Sequence, residues 1–129
     1  MKVLNFEDSI YKANAIRKVL NQCGVTKIEL VSNVEDGLQM LKNAEDTGEP
    51  FDLIITDMHY PMKQGAVSDT EAGEKLVQLL QEQGKQTKVI VCSSRNMKLP
   101  GVYGCIWYSE ISDWEEELCD LVREMEKSK

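Results

Sequence analysis

Short apolar runs alternate with longer amphipathic segments along the whole chain. Five of these runs are almost continuously apolar and rich in β-branched residues, which is typical of parallel strands covered on both faces. They lie at 2–6, 27–31, 52–56, 88–92 and 104–108. The pattern predicts a parallel sheet whose strands are joined by right-handed helical crossovers.

The segments between the runs repeat their apolar residues at helical spacing. The first apolar stripe starts at Ile10 and ends before Gly24, and the second follows Asn33, a residue type that is favoured at a helix N-terminus. A third stripe ends before Gly84. The sequence thus predicts a helix after each of the first three strands.

The last helix and two intervals depart from this regular alternation. The stretch "SDWE" predicts a capping box between Ser112 and Glu115 at the start of the last helix. The interval 93–103, between the fourth and fifth strands, is too short for a full helix with two turns. The polar segment 59–72 is a long loop, and loops of that length in compact domains are often functional.

Length and charge narrow the class of protein. A chain of 129 residues has the size of one domain, so we expect a single domain over 1–129. With 15 basic and 22 acidic residues the net charge is −7, which disfavours nucleic-acid binding by this domain. No apolar run approaches the ~20 residues that span a bilayer, and no signal-peptide pattern follows Met1. The sequence therefore predicts a cytoplasmic protein that binds neither nucleic acid nor membrane.

The four cysteines are far apart, and none belongs to a CxxC pair. They are Cys23, Cys92, Cys105 and Cys119, each within an apolar-periodic segment. Buried, reduced thiols are therefore predicted in preference to a zinc site or disulfides.

Polar side chains stand at the ends of three predicted strands. Glu7 and Asp8 follow the first strand, Asp57 the third, and Ser93 and Ser94 the fourth. Ligands of open α/β sheets bind beyond the carboxyl ends of the strands, so these side chains converge if the three strands are neighbours. Each residue taken singly fits a turn or a helix cap better than a site. Their joint placement favours a functional site.

Converging carboxylates repel one another unless a cation joins them. Oxygen ligands with retained water suit Mg²⁺, and an aspartate held by a metal beside hydroxyl groups is arranged to accept a phosphoryl group. The sequence predicts Mg²⁺ at Glu7, Asp8 and Asp57. Asp57 would be the acceptor, and Ser93 would hydrogen-bond the transferred group.

Three stretches together, "KVLNFEDS", "DLIITDMHYP" and "VIVCSS", resemble the receiver domain of bacterial two-component response regulators. The resemblance spans essentially the whole chain. It implies an α/β fold, a doubly wound five-stranded parallel sheet in the order 2-1-3-4-5, flavodoxin-like, here with a shortened or missing fourth helix. It also implies a phosphorelay module that takes a phosphoryl group on Asp57 from a histidine kinase or a phosphotransfer protein and signals to a further protein partner.

The resemblance assigns roles residue by residue. Glu7, Asp8 and Asp57 would hold Mg²⁺ together with the backbone carbonyl of His59. Ser93 would bind the phosphoryl group. Pro61 and Gly73 match a proline and a glycine of the family pattern. Ser94 and Arg95 are candidates for the phosphate-binding or switch segment by their position after Ser93 alone.

One departure from the family concerns charge. A lysine is expected at the end of the fifth strand, where this chain has Tyr108. A tyrosine hydroxyl donates one hydrogen bond but carries no positive charge at neutral pH. Arg95 is the nearest candidate to supply that charge, with Lys63 and Lys98 as weaker ones. We therefore expect slow phosphorylation that the substitution Tyr108→Lys increases.

Three functions remain open on sequence grounds. The first is a stand-alone receiver, which is not an enzyme beyond self-phosphotransfer and slow autodephosphorylation. The second is a pseudo-receiver that acts as a phosphorylation-independent interaction domain. The third, a Mg²⁺-dependent hydrolase, is weakest because "DMHYP" offers no second general acid two residues after Asp57. In either signalling role, partner contacts are expected at the 59–72 loop or at the first and last helices.

Overall fold

The computed structural model describes residues 1–128, which form a five-stranded parallel sheet, a small hairpin and four helices. The elements are, in chain order, β1 (Lys2–Phe6), α1 (Ile10–Gln22), β2 (Lys27–Val31), α2 (Val34–Asp46), β3 (Leu53–Thr56), β4 (Tyr60–Pro61), β5 (Ser68–Asp69), α3 (Ala72–Glu82), β6 (Lys88–Ser93), β7 (Gly104–Trp107) and α4 (Trp114–Lys127). None of these helices is both long and apolar enough to cross a membrane.

The main sheet has the strand order β2-β1-β3-β6-β7 with parallel pairing throughout. Because β6 and β7 are the fourth and fifth long strands, this confirms the predicted order 2-1-3-4-5. Phe6 of β1 is in register with Thr56 of β3, and Thr56 is in register with Val91 of β6. The carboxyl ends of the three strands that carry the predicted site residues therefore lie side by side.

Two helical layers cover the sheet. On one face, α1 and α4 pack on alternate strand residues, with Ile16, Leu20 and Leu118 fully or almost fully buried. On the other face, α2 and α3 pack around Phe6 and Leu76. Burial on both faces explains why the strands are almost continuously apolar.

Local signals place most helix ends as predicted. Asn33 accepts a hydrogen bond from the Asp36 backbone at 2.8 Å, as an N-cap should. The predicted capping box of Ser112 is wrong, since α4 has no side-chain cap and begins after Asp113. The Ser112 hydroxyl instead donates to the carbonyl of Trp107 at 2.6 Å, so it closes the turn that follows β7.

The two irregular intervals have different outcomes. In the described segment 94–103 the chain forms no helix, as the sequence predicts. The 59–72 loop is partly ordered by the antiparallel hairpin β4–β5, and the Glu35 backbone of α2 donates to the carbonyl of Met62 at 2.9 Å. Val67, between the two hairpin strands, is 91% exposed.

A disulfide joins Cys23, just after α1, to Cys119 in α4, with 5.8 Å between their Cα atoms. The prediction of buried, reduced thiols is wrong for this pair. It holds for Cys92, which is free and buried, whereas Cys105 is free but only partly buried. The pairing depends on α1 and α4 packing on the same face of the sheet, which brings together two residues 96 positions apart. Spacing along the chain carries no signal of it.

We expect the disulfide to stabilise the fold by closing a long loop in the unfolded chain. Reduction, or the substitution Cys119→Ser, should lower the free energy of unfolding by about 2–4 kcal/mol. Urea titrations with and without reductant measure the difference. Cys105→Ser is the matched control and should leave it unchanged; equal stability of the oxidised and reduced proteins would contradict the expectation.

Candidate functional site

Asp57 lies immediately after β3, and its main chain and side chain are both held. Its backbone N–H donates to the carbonyl of Phe6 at 3.1 Å, and its Oδ1 accepts from the Met58 N–H at 2.7 Å. The Thr56 hydroxyl, which shares a hydrogen bond with the buried Tyr60, donates to the Asp57 carbonyl at 2.7 Å. Phe6 and Thr56 therefore hold the backbone of Asp57 and the Met58 N–H holds its carboxylate, while 16% of the side chain remains exposed.

Gly73 lets helix α3 begin close to this strand end. Its N–H donates to the carbonyl of Met58 at 3.2 Å, and a Cβ at this position would clash with the backbone carbonyl of Asp57. A side chain at position 73 would therefore push α3 away from the backbone of Asp57 and Met58. The close approach of α3 to the end of β3 therefore explains why position 73 is a glycine.

A cavity of about 280 Å³ opens beside Asp57. It is lined by Asp8, Asp57, Met58, His59, Ser68, Ser93, Ser94 and Arg95. Asp8, His59, Ser94 and Arg95 are exposed, whereas Ser93 is 2% exposed and its Oγ accepts from the Arg95 N–H at 3.1 Å. The structure thus brings six of the predicted site residues into one cavity.

Glu7 and Tyr108 are placed differently. Glu7 is buried at 2% exposure, outside the cavity lining, and its Oε2 accepts from the Ser9 N–H at 3.1 Å. Tyr108 donates its N–H to the carbonyl of Ser93 at 2.7 Å, and its ring packs on Trp114 at 4.9 Å between centroids. Arg95 donates from its guanidinium to the Thr70 carbonyl at 3.5 Å.

The cation that meets Asp57 is Lys12, in the first turn of α1. Its ammonium lies 3.2 Å from Asp57 Oδ2 and 3.1 Å from Glu7 Oε1. It also donates to the carbonyl of Cys92 in β6 at 2.6 Å. The Lys12 ammonium thus hydrogen-bonds one backbone carbonyl and forms ion pairs with two carboxylates, and only 8% of its side chain is exposed.

Burial disfavours the charged forms of Glu7 and Lys12, and the opposite charge beside each of them counteracts that effect on its pKa. Burial raises the pKa of Glu7, the Lys12 ammonium works against that rise, and the Asp57 carboxylate adds to it. For Lys12, burial alone would lower the pKa, but the Asp57 and Glu7 carboxylates together hold it above its ordinary value. Lys12 is therefore a fixed positive charge between two acids.

Sequence reasoning missed Lys12 because it considered only cations in the loops around the predicted cavity, namely Arg95, Lys63 and Lys98. A signal was present. Lys12 lies four residues before Ile16 and next to Ala13, so it falls on the apolar stripe of α1 rather than on the solvated face. A lysine at a buried helical position next to converging carboxylates is expected to pair with them.

The cavity contains two of the three carboxylates that are predicted to bind Mg²⁺. Asp8 and Asp57 both line the cavity, and one or two carboxylates with retained water form a usual Mg²⁺ site. Within residues 1–128 no group of three or more metal-ligating side chains occurs, and Glu7 faces Lys12. Asp8 and Asp57 are the two carboxylates that would hold a hydrated Mg²⁺ in this cavity, and the metal role of all three acids stays a prediction.

Comparison with solved structures shows that the fold is that of receiver domains. The receiver domain of a putative LuxO repressor protein from Vibrio parahaemolyticus superposes with a TM-score of 0.72 at 16% identity, over 98% of this chain and 91% of that one. For the Francisella response regulator 1452 receiver domain the TM-score is 0.68 at 18% identity, with 99% and 98% covered.

A third similar structure is the chemotaxis response regulator CheY4 of Vibrio cholerae, with a TM-score of 0.66 at 21% identity over 96% and 97% of the two chains. No family model matches the sequence, and no curated protein matches it. At these identities the comparisons establish the architecture, and the chemistry rests on the residues of the site.

Removing the buried ammonium should destabilise the fold. We expect Lys12→Met to lower the free energy of unfolding by about 3–5 kcal/mol, because it leaves Glu7 buried without its counter-charge. Glu7→Gln in the same chain should restore part of this loss. Urea denaturation measures both. Lys85→Met, which breaks a partly exposed pair with Glu45, is the control and should cost at most about 1 kcal/mol; an equally small effect of Lys12→Met would contradict the expectation.

Proposed function

We propose that this chain is a receiver module that accepts a phosphoryl group on Asp57 and passes the signal on by protein–protein contact. The observation that carries the proposal is the position of Asp57. Its partly exposed carboxylate stands at the carboxyl end of a central strand, in a cavity that it shares with a second carboxylate, Asp8, and with the hydroxyl-bearing Ser93 and Ser94.

The chemistry of the transfer is a displacement at phosphorus. An Asp57 carboxylate oxygen forms the new bond to phosphorus while the bond to the donor's leaving group breaks, and the leaving group keeps the electron pair. With a histidine kinase or a phosphotransfer protein as donor, the leaving group is an imidazole. Ser93 and Ser94 would donate hydrogen bonds to the phosphoryl oxygens. Bound Mg²⁺ would supply positive charge to those oxygens.

We infer the signalling surface from the two places where strands and helices do not simply alternate along the chain. Segment 94–103 has no helix, while the hairpin β4–β5 projects from the loop that follows Asp57. Ser68 of this hairpin also lines the cavity. We place partner contacts on the hairpin, because a change at Asp57 reaches it over a short distance.

Acetyl phosphate with Mg²⁺ tests the proposal directly. The protein should gain one phosphoryl group per chain, and Asp57→Asn should abolish the gain, as measured by intact mass. Asp120→Asn, at an exposed acid of α4, is the control and should label normally. Release of many equivalents of phosphate without accumulation on Asp57 would indicate a hydrolase instead.

We expect that the protein folds without the turn of the β4–β5 hairpin. Replacing residues 63–66 with a two-residue Asn-Gly turn is expected to change the free energy of unfolding by less than about 1 kcal/mol, since shortening a surface loop has a small entropic effect. Labelling of Asp57 should persist, while binding of a partner selected on the phosphorylated protein should fall. Urea titration, intact mass and a binding titration measure the three quantities. Loss of the fold would show that the hairpin is structural.

A pseudo-receiver is the second candidate, and one observation favours it. Lys12 already offsets the charge of Glu7 and Asp57, so these two acids do not require a metal ion to coexist. In that case the interaction surface would be constitutive. Absence of labelling by acetyl phosphate, with partner binding unaffected by Asp57→Asn, would establish this alternative.

A further inference from the structure

The acidic site receives a cation from an element other than the one expected. Position 108 at the end of the fifth strand is a tyrosine, and the ammonium that reaches Asp57 comes from Lys12 on α1. The two positions are close in space, since Lys12 Nζ lies 5.2 Å from the centroid of the Tyr108 ring. A positive charge therefore stands in the same neighbourhood, carried by another helix.

The contacts of Lys12 fix its position more tightly than an ion pair alone would. The Cys92 carbonyl belongs to β6, Glu7 follows β1, and Asp57 follows β3, so one ammonium joins the ends of three adjacent strands. Ser9 caps α1 by accepting from the Lys12 N–H at 3.3 Å, which fixes the backbone that carries the side chain. A site built on rigid elements with locked neighbours keeps its geometry.

Other basic residues near the cavity are placed less well. Arg95 lines the cavity but is exposed and donates to the Thr70 carbonyl. Lys63 and Lys98 are exposed. Exposed charges interact weakly with a carboxylate because water screens them, whereas a buried ammonium acts at a lower effective dielectric constant.

We infer that Lys12 is the positioning residue of this site. From α1, its ammonium holds the Asp57 carboxylate in position for transfer, and so plays the part that a lysine at position 108 would play. This inference rests on the proposed phosphoryl transfer to Asp57. It also revises the expectation for Tyr108→Lys, because a second ammonium beside Lys12 would repel the first.

A double-mutant cycle on residues 12 and 108 tests the inference, with acetyl phosphate and Mg²⁺ as the probe and intact mass as the readout. Lys12→Met should slow labelling of Asp57 about ten-fold or more, the loss expected when a charge-assisted contact disappears. Tyr108→Lys alone should not speed labelling. Adding Tyr108→Lys to Lys12→Met should restore most of the rate, since the new lysine can approach the vacated position.

Two further variants separate positioning from stability. If Lys12→Met does not fold, Glu7→Gln combined with Lys12→Met removes both buried charges and takes its place in the cycle. Leu118→Ala removes a fully buried side chain of α4 and should lower the urea concentration at which the protein unfolds. Labelled well below its melting temperature, this variant should react at the unmodified rate.

The outcomes are distinct. Slow labelling of the Lys12 variant, rescue only in the double variant and normal labelling of Leu118→Ala support the inference. Normal labelling without Lys12, slow labelling that Tyr108→Lys fails to rescue, or equal slowing by Leu118→Ala would overturn it while leaving the receiver proposal intact. An unmodified protein that does not label at all would overturn both.

Discussion

A single ammonium group shared by two carboxylates is the contact on which this structure depends. Taking Lys12, Glu7 and part of Asp57 out of water is unfavourable, and their mutual attraction offsets that cost only with good geometry. The geometry is provided by strand ends that lie side by side and by a helix whose first turn is capped by Ser9. The fold and the charge arrangement therefore support each other: α1 is docked partly by its lysine, and the acids tolerate one another because α1 is docked.

The sequence was sufficient to predict the sheet and the clustering around Asp57. A parallel strand covered on both faces has a local signature, and the carboxyl ends of neighbouring strands necessarily meet at one edge. Residues as far apart as Asp8 and Ser93 could therefore be assigned to one cavity without knowing any contact. The sheet and the clustering around Asp57 were predictable because both depend only on the strand pattern and the strand order.

Other features needed the packing of helices, which local patterns do not contain. The pairing of Cys23 with Cys119 requires α1 and α4 to share a face of the sheet. The apolar stripe of α1 marks Lys12 as buried, but its contact with Asp57 depends on where the first turn of α1 lies relative to the end of β3. Ser112 shows the same limit at short range. Its sequence context suits a helix cap, but the nearby Trp107 carbonyl accepts its hydroxyl instead. In each case the side chain contacts a residue outside the short stretch of sequence on which the prediction was based.

The disulfide has a topological consequence. It converts the chain between Cys23 and Cys119 into a closed covalent ring that contains β2, β3, β6, β7 and most of the cavity lining. β1 and α1, with Glu7, Asp8 and Lys12, lie on the tail that enters this ring. A single backbone cut anywhere inside the ring leaves the molecule in one piece until the disulfide is reduced, so proteolytic nicking of the projecting hairpin would not by itself separate Asp57 from Ser93.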